Sequence, residues 1–217
     1  RATMPNTTDR AWRTMQALRP HTAAQLHRFL QHVAGVRVPD RALIAGHDAP
    51  FDNLMHSFFE RDRRDALVWA SRGGGKTLLG AAATMLDLLF KPGVQVRILA
   101  GSLEQAARMH AHLRHLADRP LVRPLLAAPP TQRRLALSNG SAVELLAQSH
   151  RSVRGVRVHK LRCDEVDEMR PDIWQAAQLV TRSQTLGGQA VRGTVEGYST
   201  MHRPFGLMSE LVRRARG

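Results

Sequence analysis

Cysteine is almost missing: Cys163 stands alone in 217 residues. One thiol excludes an internal disulfide and any zinc site built from several thiolates. Aromatic residues make up only 5% of the chain, so a core has to rest on Ala, Leu and Val. Lysine is scarce as well, with three (Lys76, Lys91, Lys160) against 29 arginines. Long apolar runs are lacking; the best, Leu78 to Phe90, is too short for a membrane span and contains Asp87. No basic-then-apolar leader opens the sequence. The first residue is Arg1, which suggests a processed chain or an excerpt of a longer one.

What is present is apolar content of 43%, enough to exclude disorder as the main state, and a strong positive charge. Lys and Arg number 32 against 18 Asp and Glu, a formal +14. A field of that sign favours a polyanion, most simply nucleic acid, with binding that weakens steeply as salt rises. The preference for Arg over Lys is what a GC-rich genome gives; the net charge is not explained that way.

Residues 1–20 lack a clear period and are expected to be loosely ordered. A helix is predicted over Thr22–Val33, capped by Thr22 and closed by Gly35, and another over Phe51–Glu60. From there strand and helix alternate. Strands are predicted at Asp65–Ala70, Val94–Ala100, Val158–Cys163 and Ala190–Tyr198. Helices are predicted at Lys76–Phe90, Leu103–Ala117, Ile173–Arg182 and Phe205–Arg214. Asn139-Gly140, between two alternating runs over Leu135–Leu146, predicts a hairpin with a type I′ turn. Repeated strand–helix units imply an α/β fold, a mostly parallel sheet with helices on both faces. The strand at Val158–Cys163 is too polar for a sheet centre, so it either lies under a basic groove or is misregistered. Trp69 and Trp174 are read as core residues, and the histidines at 110, 112 and 115 as solvated.

The strongest motif is Ala70-Ser71-Arg72-Gly73-Gly74-Gly75-Lys76-Thr77, a phosphate-loop pattern with Ala in place of the first Gly. Glycines let the main chain curl so that its N–H groups point at an anion, and the following helix adds its positive end. Lys76 can reach the β and γ phosphates of ATP, and the Thr77 hydroxyl can ligate Mg²⁺. Arg72 could turn back onto the γ phosphate; a solvated loop arginine is the equal alternative. Eighty-seven residues after Thr77 comes Asp164-Glu165. An acid at a strand's end facing the loop can hold Mg²⁺, and a glutamate beside it can activate a water. The competing reading is an acidic helix-capping turn, with Asp167 and Glu168 solvated. Arg154, beside Gly155 in a stretch of five basic residues and no acid, could enter a neighbouring subunit's site, touch DNA phosphates or simply be solvated. Ser199-Thr200 ends the last strand, where hydroxyls can sense a phosphate or cap a helix.

Together these residues resemble the ATPase domain of the terminase large subunit of tailed phages, the DNA-packaging motor. The resemblance runs from about His47 to Glu210. It rests on the deviant loop Ala70–Thr77 with Arg72, on Ser138-Asn139-Gly140-Ser141, Arg154-Gly155, Asp164-Glu165, Ser199-Thr200 and Phe205-Gly206. It implies a three-layer P-loop NTPase fold of the additional-strand class over residues 47–217. Residues 1–46 would be a helical or irregular extension, part of a lid. It further implies that Ser71, Arg72, Gly73, Gly74, Gly75, Lys76 and Thr77 bind phosphate and that Thr77 and Asp164 bind Mg²⁺. Glu165 would be the catalytic carboxylate, aided by Lys76 and by Arg72 or Arg154, and Ser199-Thr200 the coupling motif. His47, Pro50, Phe51 and Asp52 would fall on the adenine segment, where the family usually has a glutamine that cannot be placed here. The implied partners are double-stranded DNA, a homo-oligomeric ring, the portal and the small terminase subunit, in the host cytoplasm and without a membrane. The family's C-terminal nuclease has no counterpart in this sequence, which is expected to be the motor alone or an excerpt. The alternatives are the first motor domain of a superfamily-two helicase, which a second motor domain should follow, and a basic nucleic-acid-binding module with a degenerate nucleotide site.

Overall fold

A computed structural model describes residues 7–60, 64–147, 149, 153 and 157–216. The strand signals become β1 (Ala66–Trp69), β2 (Gln95–Ala100), β3 (Arg134–Ala136), β4 (Ala142–Leu146), β5 (Lys160–Asp164), β6 (Gln184–Leu186), β7 (Gln189–Val191) and β8 (Thr194–Ser199). Six of them form one sheet in the order β1-β8-β5-β2-β4-β3, parallel except for β3 against β4. β6 and β7 make a separate hairpin. The helices are α1 (Thr7–Ala17), α2 (Ala23–Phe29, continued by a π turn over Leu30–Ala34), α3 (Pro50–Phe59), α4 (Lys76–Phe90), α5 (Leu103–Ala117), α6 (Pro171–Ala177) and α7 (Leu207–Arg216).

Alternation along the inner strands sends side chains to two cores. Val96, Ile98, Ala100, Val143 and Tyr198 join α3, α4 and α5 on one face. Leu99, Leu161, Cys163 and Val195 pack on the other with Ile173 and Ala177 of α6 and with Leu207 and Leu211 of α7. The result is three layers, helices on both faces of a mostly parallel sheet. α4 is buried almost all round, as an Ala- and Leu-rich helix must be to reach so many neighbours. Gly80 lets α4 pack close, with Met109 of α5 and Tyr198 of β8 against it.

Several expectations are corrected. Residues 7–17 are helical, not loose: Met15 is buried, Ala11 and Trp12 lean on the core, and Trp12 Nε1 donates to Ser138 Oγ at 2.8 Å. This region closes the C-terminal end of α4, whose last carbonyls lack helical donors. Gln16 donates to the Leu89 carbonyl, Arg19 to that of Phe90, and Asn139 and Ser141 both to that of Leu88. The Asn139-Gly140 turn is not type I′, which needs positive φ at both residues; only Gly140 has it (φ 84°). Gly140 N donates to the Leu137 carbonyl and Leu137 N to that of Ser141, a three-residue loop with glycine in the left-handed position. The expected strand Ala190–Tyr198 is divided into β7 and β8, with Gly193 packed on the Arg182 backbone. The helix expected over Ile173–Arg182 begins at Pro171 and ends at Ala177. Trp69 is not a core residue: β1 is an edge strand, the indole is 46% exposed, and the Arg216 guanidinium lies 5.7 Å from its ring.

The polar strand is in register and lies under no groove. Lys160 and Arg162 of β5 are fully buried on the α4 face, where acids from three elements meet them. Arg162 pairs with Asp87 of α4 at 2.6 Å and with Glu196 of β8 at 3.1 Å. Lys160 pairs with Glu60 just after α3, and Lys91 with Glu60 and Asp87 at 2.6 Å each. A charged strand is tolerated at the sheet centre because every charge there is answered.

Candidate nucleotide site

β1 leads into a turn, Ser71–Gly75, that is exposed throughout, and α4 begins at Lys76. Gly73 and Gly75 have φ of 77° and 74°, left-handed values that favour glycine and curl the chain. Arg72 is exposed in this turn. Lys76 points inward and is 7% exposed.

The acid pair faces the loop. Asp164 ends β5 on the α4 side, and Thr77 Oγ1 donates to its Oδ2 at 3.1 Å. Glu165 has φ 50°, unusual for a residue with a side chain, and its Oε1 lies 3.1 Å from Lys76 Nζ. Such a conformation persists only where the surroundings enforce it. β8 lies between β1 and β5, so the segment leaving it arrives beside both. Thr200 Oγ1 donates to Glu165 Oε2 at 3.4 Å, and Ser199 Oγ accepts from the Asp167 amide at 3.0 Å. Lys76, Thr77, Asp164, Glu165, Ser199 and Thr200, far apart in sequence, are thus brought into one place. Phe51 is elsewhere, buried at the start of α3 with its ring edge-on to His27. Arg154 lies outside the described residues.

The two carboxyls are driven in opposite directions. Burial pushes Asp164 up to about 6, with the neighbouring Glu165 charge adding to it; Thr77 and Lys76 oppose this. Burial acts on Glu165 in the same sense, but its hydrogen bond and ion pair with Lys76, helped by His202, hold it below the usual glutamate value. A hydroxyl and a carboxylate in contact at a helix start are hard oxygen donors, the kind that Mg²⁺ takes together with waters and substrate phosphates. Among the described residues no group of three or more His, Cys, Asp or Glu side chains could hold a metal. One carboxylate plus one hydroxyl fits an ion shared with a phosphate better than a caged one.

Three readings from sequence needed the structure. Asp167 is not solvated but buried, and accepts the amides of His202, Arg203 and Met208. His202 reaches Glu165 Oε2 at 3.3 Å, and no pattern in the sequence signalled it. His110, expected in solvent, is buried in α5, and burial followed by the Arg114 charge pulls it down to about 4.

The loop, its lysine, the acid pair across the sheet and the strand inserted between them define a P-loop NTPase of the additional-strand class. Within that class the chain belongs to the family of the terminase large subunit, T4likevirus-type, N-terminal part, which matches residues 67–196. No curated protein matches it. In fold it is similar to the crystal structure of the HK97 bacteriophage large terminase, with a TM-score of 0.65 and 15% identity over 89% of this chain and 41% of that one. It is similar too to the Thermus phage P74-26 large terminase ATPase domain, with a TM-score of 0.51 and 16% identity over 74% and 72%. The chain therefore spans about two fifths of the HK97 protein.

Proposed function

We propose that this chain is an ATP-hydrolysing motor domain that drives double-stranded DNA into a viral procapsid. The observation that carries the reading is that Lys76 and Thr77 face Glu165 and Asp164 at 3.1 Å each across the sheet. Family membership supports it and disfavours a helicase motor.

The main-chain amides of Ser71–Gly75 bind the phosphates, and Lys76 leaves Glu165 to meet the β and γ oxygens. Thr77 and Asp164 are the residues that would hold Mg²⁺, which when bound would supply positive charge to those oxygens. Glu165, ionised and released from Lys76, orients the attacking water and takes its proton. Arg72 in its own loop, or Arg154 from a neighbour in a ring, answers the charge that develops on the leaving phosphate. Ser199-Thr200, bonded to the acidic turn, senses the change and moves the segment that follows. DNA, the portal and the small subunit are the partners this reading implies, in the host cytoplasm.

The test is a pair of variants. Glu165→Gln is expected to bind ATP as wild type does while kcat drops by roughly 10²–10⁴. Lys76→Ala is expected to lose both binding and turnover. Turnover retained in the glutamine variant, measured by phosphate release, removes Glu165 from its role; unchanged binding in the alanine variant removes the loop from its own.

A further inference from the structure

The segment between β8 and α7 is tied to the acidic turn more closely than a helix cap requires. Asp167 Oδ2 accepts the amides of His202 at 2.8 Å and Arg203 at 3.1 Å, and its Oδ1 accepts that of Met208 at 2.9 Å. The main-chain amide of Asp167 in turn bonds Ser199 Oγ. Gly206 lies so close that a Cβ there would collide with Asp167 Oδ1. One buried carboxylate thus fixes both ends of the stretch that carries His202.

His202 Nε2 lies 3.3 Å from Glu165 Oε2 and 3.7 Å from Glu168 Oε1. An ionised carboxylate only accepts, so Nε2 carries the proton and donates it. The other oxygen of Glu165 is held by Lys76. A single ammonium cannot serve Glu165 and a phosphate fully at once, so when Lys76 turns to the nucleotide, Glu165 keeps the donors from the segment after β8. The imidazole and Thr200 Oγ1 lie at 3.3 Å and 3.4 Å, and the imidazole stands on a main chain anchored by Asp167.

We propose that His202 is a positioning residue for Glu165, orienting its carboxylate through Nε2–H, and that Asp167 is the buried anchor that holds His202 in place. This rests on the reading of Glu165 as the base that activates water. A partly exposed hydrogen bond standing alone contributes little to stability and does nothing for a reaction. What distinguishes this one is the fixed main chain beneath it, the condition under which a neighbour can set a carboxylate's direction.

The experiment compares wild type, His202→Ala, His202→Gln and Glu165→Gln in the whole chain. Steady-state ATPase gives kcat and KM, ADP titration gives affinity, and the ¹⁵N resonances of the His202 ring are followed without nucleotide. His202→Ala is expected to lower kcat about tenfold while KM and ADP affinity stay within twofold, as loss of an orienting contact does. His202→Gln keeps an N–H donor and is expected to restore at least a third of that loss. Glu165→Gln is expected to move the His202 Nε2 resonance in the nucleotide-free protein. A wild-type kcat in His202→Ala, or an unmoved ring resonance, overturns the proposal. So does a fall in kcat that comes with an equal rise in KM and no recovery by glutamine. Turnover lost in Glu165→Gln but kept in His202→Ala sinks this inference alone; a wild-type chain that hydrolyses no ATP sinks the reading of the site and this inference with it.

Discussion

Asp164 and Glu165 are neighbours in sequence with opposite electrostatics, and the difference suits them to the separate tasks proposed above. Asp164 is buried beside another carboxylate and pushed up to about 6; Glu165 has Lys76 and His202 and is held down. A group that is half protonated near pH 6 binds a cation in competition with protons. Mg²⁺ affinity of the nucleotide-free chain is therefore expected to drop about tenfold per pH unit below about 6 and to level off above it. The same shift works against folding: the folded form holds the proton more tightly, so this group's contribution to stability declines as pH rises from about 4 to about 6. Titration calorimetry between pH 5 and 8 checks the first expectation, with Asp164→Asn losing both the binding and its pH dependence. A flat pH profile in the wild type would remove Asp164 as the ligand. Lys76, Thr77, Asp164 and Glu165 were legible in the sequence because their spacing and glycine context obey a local chemical rule. His202 and Asp167 were not, because their roles arise from a loop folding back over 30 residues onto the acidic turn, and nothing local encodes that return.

Among the elements, β5 shows where pattern reading stops. Its sequence Lys160-Leu161-Arg162-Cys163-Asp164 looks like a surface strand, yet it sits between β8 and β2 with all five residues buried. Strand polarity alone cannot reveal that Asp87 and Lys91, one turn apart at the end of α4, and Glu196 on β8 meet it there. The same network ties β5 to α4 and to β8, the strand that leads into Ser199-Thr200. Burial opposes the charge on Asp87, but Lys91, Arg162 and Lys160 hold its carboxyl far below the usual range. Its contribution to stability is therefore complete above about pH 4 and lost only as pH drops through the acid range. Removing one partner leaves a buried charge unanswered, so Asp87→Asn is expected to lower unfolding free energy by about 3–5 kcal/mol in urea titration. A loss below about 1 kcal/mol for Asp87→Asn would mean that the network is slack. The long helices α4 and α5 were read to the residue, since their periodicity and glycine or serine starts agree. α1 was missed because one methionine, an alanine and a tryptophan make its apolar face, and its stability comes from closing α4, a tertiary contact.

For the whole molecule, charge and architecture point outward. Among the described residues Arg162 is the only buried arginine, and most of the others are exposed. The turn is exposed from Ser71 to Gly75, and among the described residues the cation that pairs with Glu165 is Lys76. Lys76 is committed to the β and γ phosphates in the proposed reaction, so the charge on a leaving phosphate needs a further cation. Arg72 in the same chain and Arg154 from a neighbour are the two candidates, and they differ in how activity depends on concentration. If the neighbour supplies it, ATPase per chain rises with protein concentration as assemblies form, and Arg154→Ala removes that rise while leaving the dilute rate unchanged. If Arg72 supplies it, activity per chain is flat with concentration, and Arg72→Ala lowers it equally at every point. ATPase rates from nanomolar to tens of micromolar protein, with light scattering to follow assembly, decide between them. A loss by about 10³-fold or more in assembled Arg154→Ala is the scale that an arginine supplied in trans gives to phosphoryl transfer; an equal loss in the dilute chain would place Arg154 in its own site or in the fold.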